Sequence, residues 1–321
     1  MPPRRHIDQF LRNVRTPKGK ELAERTRQQH RTVVNEFAEW TESEGIDEWF
    51  DVRPSDIGAY LTHRGTTNGS SPADLSNHYG SLKRFYDYIG QDYPDRDNPV
   101  ERHGKVASYA QGETVRKQKG FETGMPDDDY RKLLAGVKDE HEDRDRLVCR
   151  ILGECGLRRS EASELRIDGI DLDTQRMDVP GTKSEPRVIK FRRELKPPLR
   201  RWIHGGQRVP YPKSYESPYL FPSAKAERMS GNAINQMVIK TAWNAGIQEV
   251  MYNDAQGSKR HRITAHQLRH YFGKREMRDP DGLGLKALSE YMGHSSVEVT
   301  ADLYGAMSDD EAFEMFDNLM D

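Results

Sequence analysis

Cysteine is nearly absent from this chain, Cys149 and Cys155 being the two among 321 residues. They stand six positions apart in one apolar run with Leu147, Ile151 and Leu152 and fall on different faces of a helix. They cannot bridge one another and read as reduced, buried thiols. A disulfide-framed scaffold is excluded. Long apolar runs are missing as well: no stretch approaches the roughly 20 apolar residues of a membrane span. The Arg4-Arg5 start is not followed by an apolar signal segment, so a cytoplasmic protein with no membrane partner is expected. Neither sign of charge is in excess, because 50 basic and 52 acidic side chains leave a net charge of -2. That balance excludes a uniformly basic protein coating a polyanion and confines any such contact to local patches.

What is present is a heavily solvated chain, 32% charged, with a mean hydropathy of -0.93. Its length suits two domains, each with a core of its own. Residues 1–31 carry Arg4, Arg5, Arg12, Arg15, Lys18, Lys20, Arg25, Arg27 and Arg31 against few acids. They read either as a solvated basic arm, disordered at its start, or as phosphate contacts, and the second reading is preferred. Apolar spacing predicts helices over 26–44, ended by Gly45, over 54–63, and over 71–89, the last opened by Ser71-Pro72. The stripe Tyr79, Phe85 and Tyr86 repeats at helical spacing and belongs to a core, while Lys83 and Arg84 fall on the polar side. One compact helical domain, residues 1–100, results. Over 101–125 the apolar pattern fades among Gly, Lys and Arg, which predicts an interdomain linker.

Residues 126–321 form the second domain. Helices are expected over 126–137 and 143–154, followed by Gly156-Leu157-Arg158-Arg159-Ser160-Glu161 and another helix from Ser160. Met177–Val179 and Arg187–Phe191 alternate as strands around a Gly181-Thr182-Lys183-Ser184 turn. A short helix and a long connection over 195–225 lead to a helix over 230–245. The basic run Ser258-Lys259-Arg260-His261-Arg262 is either a solvated loop or a phosphate contact. In Thr264-Ala265-His266-Gln267-Leu268-Arg269-His270, His266 and Arg269 share a helix face, a proton carrier beside a fixed cation. That pair suits an anionic substrate that must also exchange a proton. After a helix over 283–291, Gly293 marks a helix end before His294, and Ser295 or Ser296 can cap the segment leading to Tyr304. His261, His266 and His270 are a rival zinc set, but no acidic third ligand stands near, so no metal site is expected. The tail 309–321 carries Ala312, Phe313, Phe316, Leu319 and Met320 as an apolar stripe with acids opposite.

An Arg after Gly-Leu, a Lys in a turn, His-x-x-Arg, Gly-His and then Tyr, in that order, resemble the signature of the tyrosine recombinase (phage integrase) family. The resemblance implies a mainly α, two-domain architecture: a helical, SAM-like core-binding domain, then a mixed α/β catalytic domain, mostly α with a small β-sheet. It implies Arg158, Lys183, His266, Arg269, His294 and Tyr304 as catalytic residues, with Glu161 orienting Arg158, Arg159 as surface charge and Lys190 as the fallback lysine. A phosphodiester repels nucleophiles through its anionic oxygens, and two guanidiniums can hold those oxygens in bidentate geometry. Tyr304 would attack to give a 3′-phosphotyrosine, His266 would carry its proton, Lys183 would protonate the departing 5′ hydroxyl, and His294 would hydrogen-bond the phosphate or orient the nucleophile. No cofactor is implied. The implied partners are double-stranded DNA, touched by Arg25, Arg27, Arg31, Lys83, Arg84, Lys259 and Arg260, and three further copies exchanging tails in a homo-tetramer on two DNA sites. Two alternatives stand beside it: a type IB topoisomerase-like enzyme, which uses the same covalent step but religates the original strand, and a noncatalytic DNA-binding regulator that retains the fold.

Overall fold

The computed structural model describes residues 4–16, 19, 21–66, 70, 72–103, 125–138, 140–182, 184–253, 258–294 and 296–304. The chain divides into two compact units, Met1–Gly120 and Phe121–Asp321. No described helix is long and apolar enough to cross a membrane.

The described part of the first unit is mainly helical: α1 (Arg5–Asn13), α2 (Glu24–Ser43), α3 (Pro54–Thr66), α4 (Pro72–Ile89) and α5 (Pro99–His103). Helix α1 rules out a solvated arm over Arg5–Asn13. Ile7, Phe10 and Leu11 recur at i, i+3 and i+4 and are buried, which turns the arginines between them outward. Phe10 is fully buried and meets Phe85 edge-on at 5.5 Å and His30 at 5.7 Å. Such a ring in the centre of a core outweighs the repulsion among exposed arginines. The helices expected over 26–44, 54–63 and 71–89 appear with small shifts, and Gly45 ends α2 with φ 72°. Val100 is fully buried on α5, whose first turn is capped by the Asn98 Oδ1, the acceptor for the Val100 and Glu101 amides at 2.9 and 3.3 Å. Of the expected linker 101–125, residues 101–103 belong to α5, and 104–124 lie outside the described residues, as does Ser71.

The second unit holds α6 (Asp127–Ala135), α7 (Glu142–Cys155), α8 (Arg159–Glu164), α9 (Lys196–His204), α10 (Gly231–Asn244), α11 (Ala265–Arg278), α12 (Leu285–Met292) and α13 (Val297–Tyr304). Strands β1 (Ile170–Asp171), β2 (Arg176–Val179) and β3 (Arg187–Lys190) make an antiparallel sheet in that order. Met177 lies opposite Ile189 and Val179 opposite Arg187, so these four share the face turned to the core. Helices α7 and α11 pack together at the centre. Cys149 and Cys155 are free and buried on α7, and burial pushes both thiols well above their usual range. Of the basic run read as a solvated loop or a phosphate contact, Lys259–His261 form strand β5, paired antiparallel with β4 (Val250–Asn253), so the loop alternative is the one overturned. Strands of four and three residues leave little periodicity to read.

Replacing Phe10 by Ala is expected to destabilise the first unit by about 3–5 kcal/mol. Urea unfolding of the full chain, followed by hydrogen exchange of amides in residues 5–100, measures it. Unchanged exchange would return α1 to the status of a dispensable arm.

Candidate active site

The site is built around one carboxylate. Glu161 stands in the first turn of α8, and its side chain is fully buried. Its Oε2 accepts the Arg158 backbone N–H at 2.8 Å, and its Oε1 accepts Arg158 Nη1 at 2.8 Å and the Ser184 hydroxyl at 3.1 Å. Arg187, from the first position of β3, reaches the same two oxygens with Nη1 at 3.1 Å and Nη2 at 3.2 Å. Arg269 on α11 completes the set, 3.8 Å from Oε2. Burial alone would raise this carboxyl's pKa. The Arg187 hydrogen bonds, the Arg158 amide, and the charges of Arg187 and Arg269 outweigh it and hold the group below its ordinary range.

The guanidiniums find their remaining acceptors at two helix ends. Helix α7 ends at Gly156 with φ 63° and α12 at Gly293 with φ 65°, the left-handed conformation that glycine adopts without strain. A Cβ on Gly156 would stand 2.3 Å from the Phe272 ring, and one on Gly293 would stand 3.0 Å from Arg187 Nη1. Arg269 donates to the Gly156 carbonyl at 2.7 Å and the Met292 carbonyl at 2.8 Å. Arg158 donates to the Gly293 carbonyl at 2.8 Å, and Arg187 Nε to the Tyr291 carbonyl at 2.6 Å. Last-turn carbonyls carry the negative end of the helix dipole and lack intrahelical partners, so cations are well placed there. Arg269 is 2% exposed and Arg158 24%, so Arg158 is the more accessible of the two to an arriving anion.

His294 follows directly on Gly293. Its Nδ1 lies 2.6 Å from the Thr300 hydroxyl on α13. Burial first, then the positive charges of Arg269, Arg158 and Arg187, then His266, lower its pKa to about 4. It is a neutral imidazole at physiological pH. His266 is exposed on α11, its ring 4.3 Å edge-on from that of buried His270. Among the described residues no group of three or more His, Cys, Asp or Glu side chains is arranged to hold a metal ion. Tyr304 is the last residue of α13, the helix that Thr300 ties to His294. Lys183 lies outside the described residues. Its neighbours are anchored at the site: Thr182 and Ser160 hydroxyls are 3.0 Å apart, and Ser184 bonds Glu161. Lys190, the fallback, is exposed on the outer face of β3.

The structure thus brings together Arg158, Glu161, Arg269 and His294, and adds Arg187, which sequence reasoning passed over as an ordinary strand residue. The signal was present in the alternation, because Arg187 shares its face with the apolar Ile189 and Phe191. Of the expected polyanion contacts, Arg31, Lys259 and Arg260 are exposed and Arg84 is half-buried. Arg27 pairs with Glu24 at 3.3 Å, and Lys83 is held by Asp87 at 3.2 Å and Glu101 at 3.0 Å. The Arg25 side chain and the tail 309–321 lie outside the described residues.

The helical first unit and the mixed α/β second unit with its small sheet match the architecture of tyrosine recombinases. The phage integrase family pattern matches residues 124–311, and the phage integrase N-terminal SAM-like domain matches residues 6–95. The chain belongs to the phage integrase family of tyrosine recombinases. It is similar to tyrosine recombinase XerC of Chromohalobacter salexigens, 24% identical over 274 residues, 84% of this chain and 82% of that one. The TnP I resolvase of Bacillus thuringiensis is 20% identical over 284 residues, 88% of this chain and 90% of its own length. The solved Tn1549 transposon integrase in complex with transposon right end DNA shares the fold, with a TM-score of 0.68 at 18% identity over 99% of both chains.

An imidazole whose folded-state pKa lies below its unfolded value near 6.5 refuses a proton that the unfolded chain takes up. Stability therefore falls as pH drops from 6.5 towards 4. NMR titration of the His294 ring is expected to give a midpoint near 4. The His294→Gln variant should lose less stability than the wild type between pH 7 and pH 5 in urea unfolding. A ring midpoint near 6.5 would remove the cations from its surroundings.

Proposed function

We propose that this protein cuts and rejoins DNA strands at specific sites through a covalent 3′-phosphotyrosine formed by Tyr304. The observation that carries the reading is the Glu161 cluster. Two family-position guanidiniums, Arg158 and Arg269, are set in fixed orientations beside a neutral His294, within the unit whose helix α13 ends at Tyr304. Guanidiniums preorganised for an anion stabilise the charge that grows on a phosphodiester under attack.

On this reading the Tyr304 oxygen attacks phosphorus and the 5′ oxygen leaves. His266, exposed on α11, takes the phenol proton, and Lys183 gives one to the departing oxygen. His294, kept neutral, donates a hydrogen bond to the phosphate without adding charge. Religation to a 5′ hydroxyl of another strand reverses these steps, and the stored phosphotyrosine bond dispenses with ATP. The arginines occupy the electrostatic role that metal ions hold in other phosphoryl transfers.

Residues 1–100 would hold one face of the duplex, 101–125 would link the two lobes, and 126–321 would carry the chemistry. Arg25, Arg27, Arg31, Arg84, Lys259 and Arg260 are the proposed phosphate contacts; Lys83 would have to leave Asp87 and Glu101 to join them. Exchange of the 309–321 tails between four copies on two DNA sites would complete the assembly. Integration, excision and dimer resolution all follow from the same strand exchange.

The test is incubation with nicked suicide DNA substrates made from sequence flanking the gene, with a strong chelator present. The wild type is expected to form a covalent complex, and the Tyr304→Phe variant to fall below about one-thousandth of it. A complex that survives Tyr304→Phe would sink the nucleophile assignment. Binding to sites obtained by random-sequence selection, without any complex on them, would favour a regulator.

A further inference from the structure

We infer that Arg187 is a positioning residue for strand cleavage, a third guanidinium that acts through Glu161 to keep Arg158 directed at the phosphate. The inference rests on the proposed function and deepens it. Arg187 touches three parts of the site at once. Its Nη1 and Nη2 span both oxygens of Glu161 at 3.1 and 3.2 Å, its Nε donates to the Tyr291 carbonyl at 2.6 Å, and its Nη1 lies 3.4 Å from the Ser184 hydroxyl. It therefore joins the hairpin turn that contains Lys183, the start of α8 with Arg158, and the end of α12 that leads into His294.

Its effect on Arg158 follows from competition for two oxygens. A carboxylate is satisfied best by a planar two-pronged donor. With Arg187 spanning both oxygens, Arg158 makes a single side-chain bond to Oε1 and sends Nη2 to the Gly293 carbonyl. Without Arg187, each oxygen of Glu161 loses one donor, and the Arg158 guanidinium can swing towards the bidentate position and away from an incoming phosphate. The Tyr291 carbonyl, at a helix end, loses its donor at the same time, and the turn before His294 loosens. Arg187 is 12% exposed, on the core-facing side of β3, and works behind the cluster.

The experiment compares single-turnover cleavage of a suicide substrate, and DNA affinity, for wild type, Arg187→Gln, Arg187→Lys, Glu161→Gln and the Arg187→Gln/Glu161→Gln double variant. Arg192→Gln serves as a control for losing a salt bridge near the same strand, since Arg192 pairs with Glu276 and Asp279. Arg187→Gln is expected to slow cleavage about 10- to 100-fold, the usual range for a supporting partner, with Kd changed less than about threefold. Arg187→Lys restores the charge but not the fork and is expected to recover less than about threefold of the rate. In the Glu161→Gln background, Arg187→Gln is expected to cost less than about threefold more, because its route of action is already gone. An equal loss in both backgrounds, a rate loss matched by a loss of affinity, or full rescue by lysine would each overturn the inference. Failure of the wild type itself to form a covalent complex on DNA that it binds would sink the proposed function, and the inference with it. Cleavage by the wild type and equally by Arg187→Gln would sink the inference alone.

Discussion

One buried carboxylate, Glu161, is the constraint on which the second unit's site depends. A lone ionised carboxyl at zero exposure would be driven to protonate, and three guanidiniums brought together without it would repel one another. Each side of the arrangement is tolerable only in the presence of the other. Arg158 comes from the turn after α7, Arg187 from β3 and Arg269 from α11, so the cluster closes only when helix, sheet and second helix have all docked. The site is therefore a product of the finished tertiary fold rather than of any local segment. Its orientation is settled before substrate arrives, which is what electrostatic preorganisation requires.

Glu161 alone cannot satisfy three planar groups with up to five donors each, and the rest of the demand falls on helix ends. The carbonyls of Gly156, Tyr291, Met292 and Gly293 supply it. This explains why both helices stop at glycines in the left-handed conformation: the chain must turn sharply while leaving its last carbonyls pointed at cations. Carbonyls offer partial charge only, so the cluster keeps a positive surplus of three guanidiniums against one carboxylate. A surplus held this way attracts an anion without collapsing onto a second acid.

How much of this was legible in the sequence depended on the length of each periodic signal. Long amphipathic helices such as α2 and α4 were readable from apolar spacing, as were Gly45 and Gly156 as stops. Helix α1 was hidden because its arginines raised the charge density, although Ile7, Phe10 and Leu11 already had helical spacing. The β4–β5 pair was missed because its strands are short and half polar, and pairing between them is a tertiary fact. Within the site, Arg158, Glu161, Arg269 and His294 came from ordered motifs, and the structure brings these four together. Arg187 shows the limit of motif reasoning. Its partners lie 26 residues before it and more than 100 after it, and only the alternation of β3 hinted that a cation faced inward.

The two imidazoles at the site differ in a way that follows from where the chain puts them. His294 sits at the end of α12 among the cations, tied to Thr300, and its depressed pKa of about 4 keeps it from becoming one more positive charge. A group in that position is suited to a fixed hydrogen bond and poorly suited to carrying a proton at neutral pH. His266 stands exposed one turn before Arg269, where an arriving substrate or water can reach it. On the proposed reading the division of labour is then set by burial: the proton moves at the rim, through His266, while the interior holds a field that does not change during the reaction. On the same reading, a phosphate entering this field would compete with helix carbonyls more than with Glu161, because Arg187 already spans the carboxylate. The donors of Arg158 that face Gly293 are the ones it can recruit at least disruption of the ion cluster.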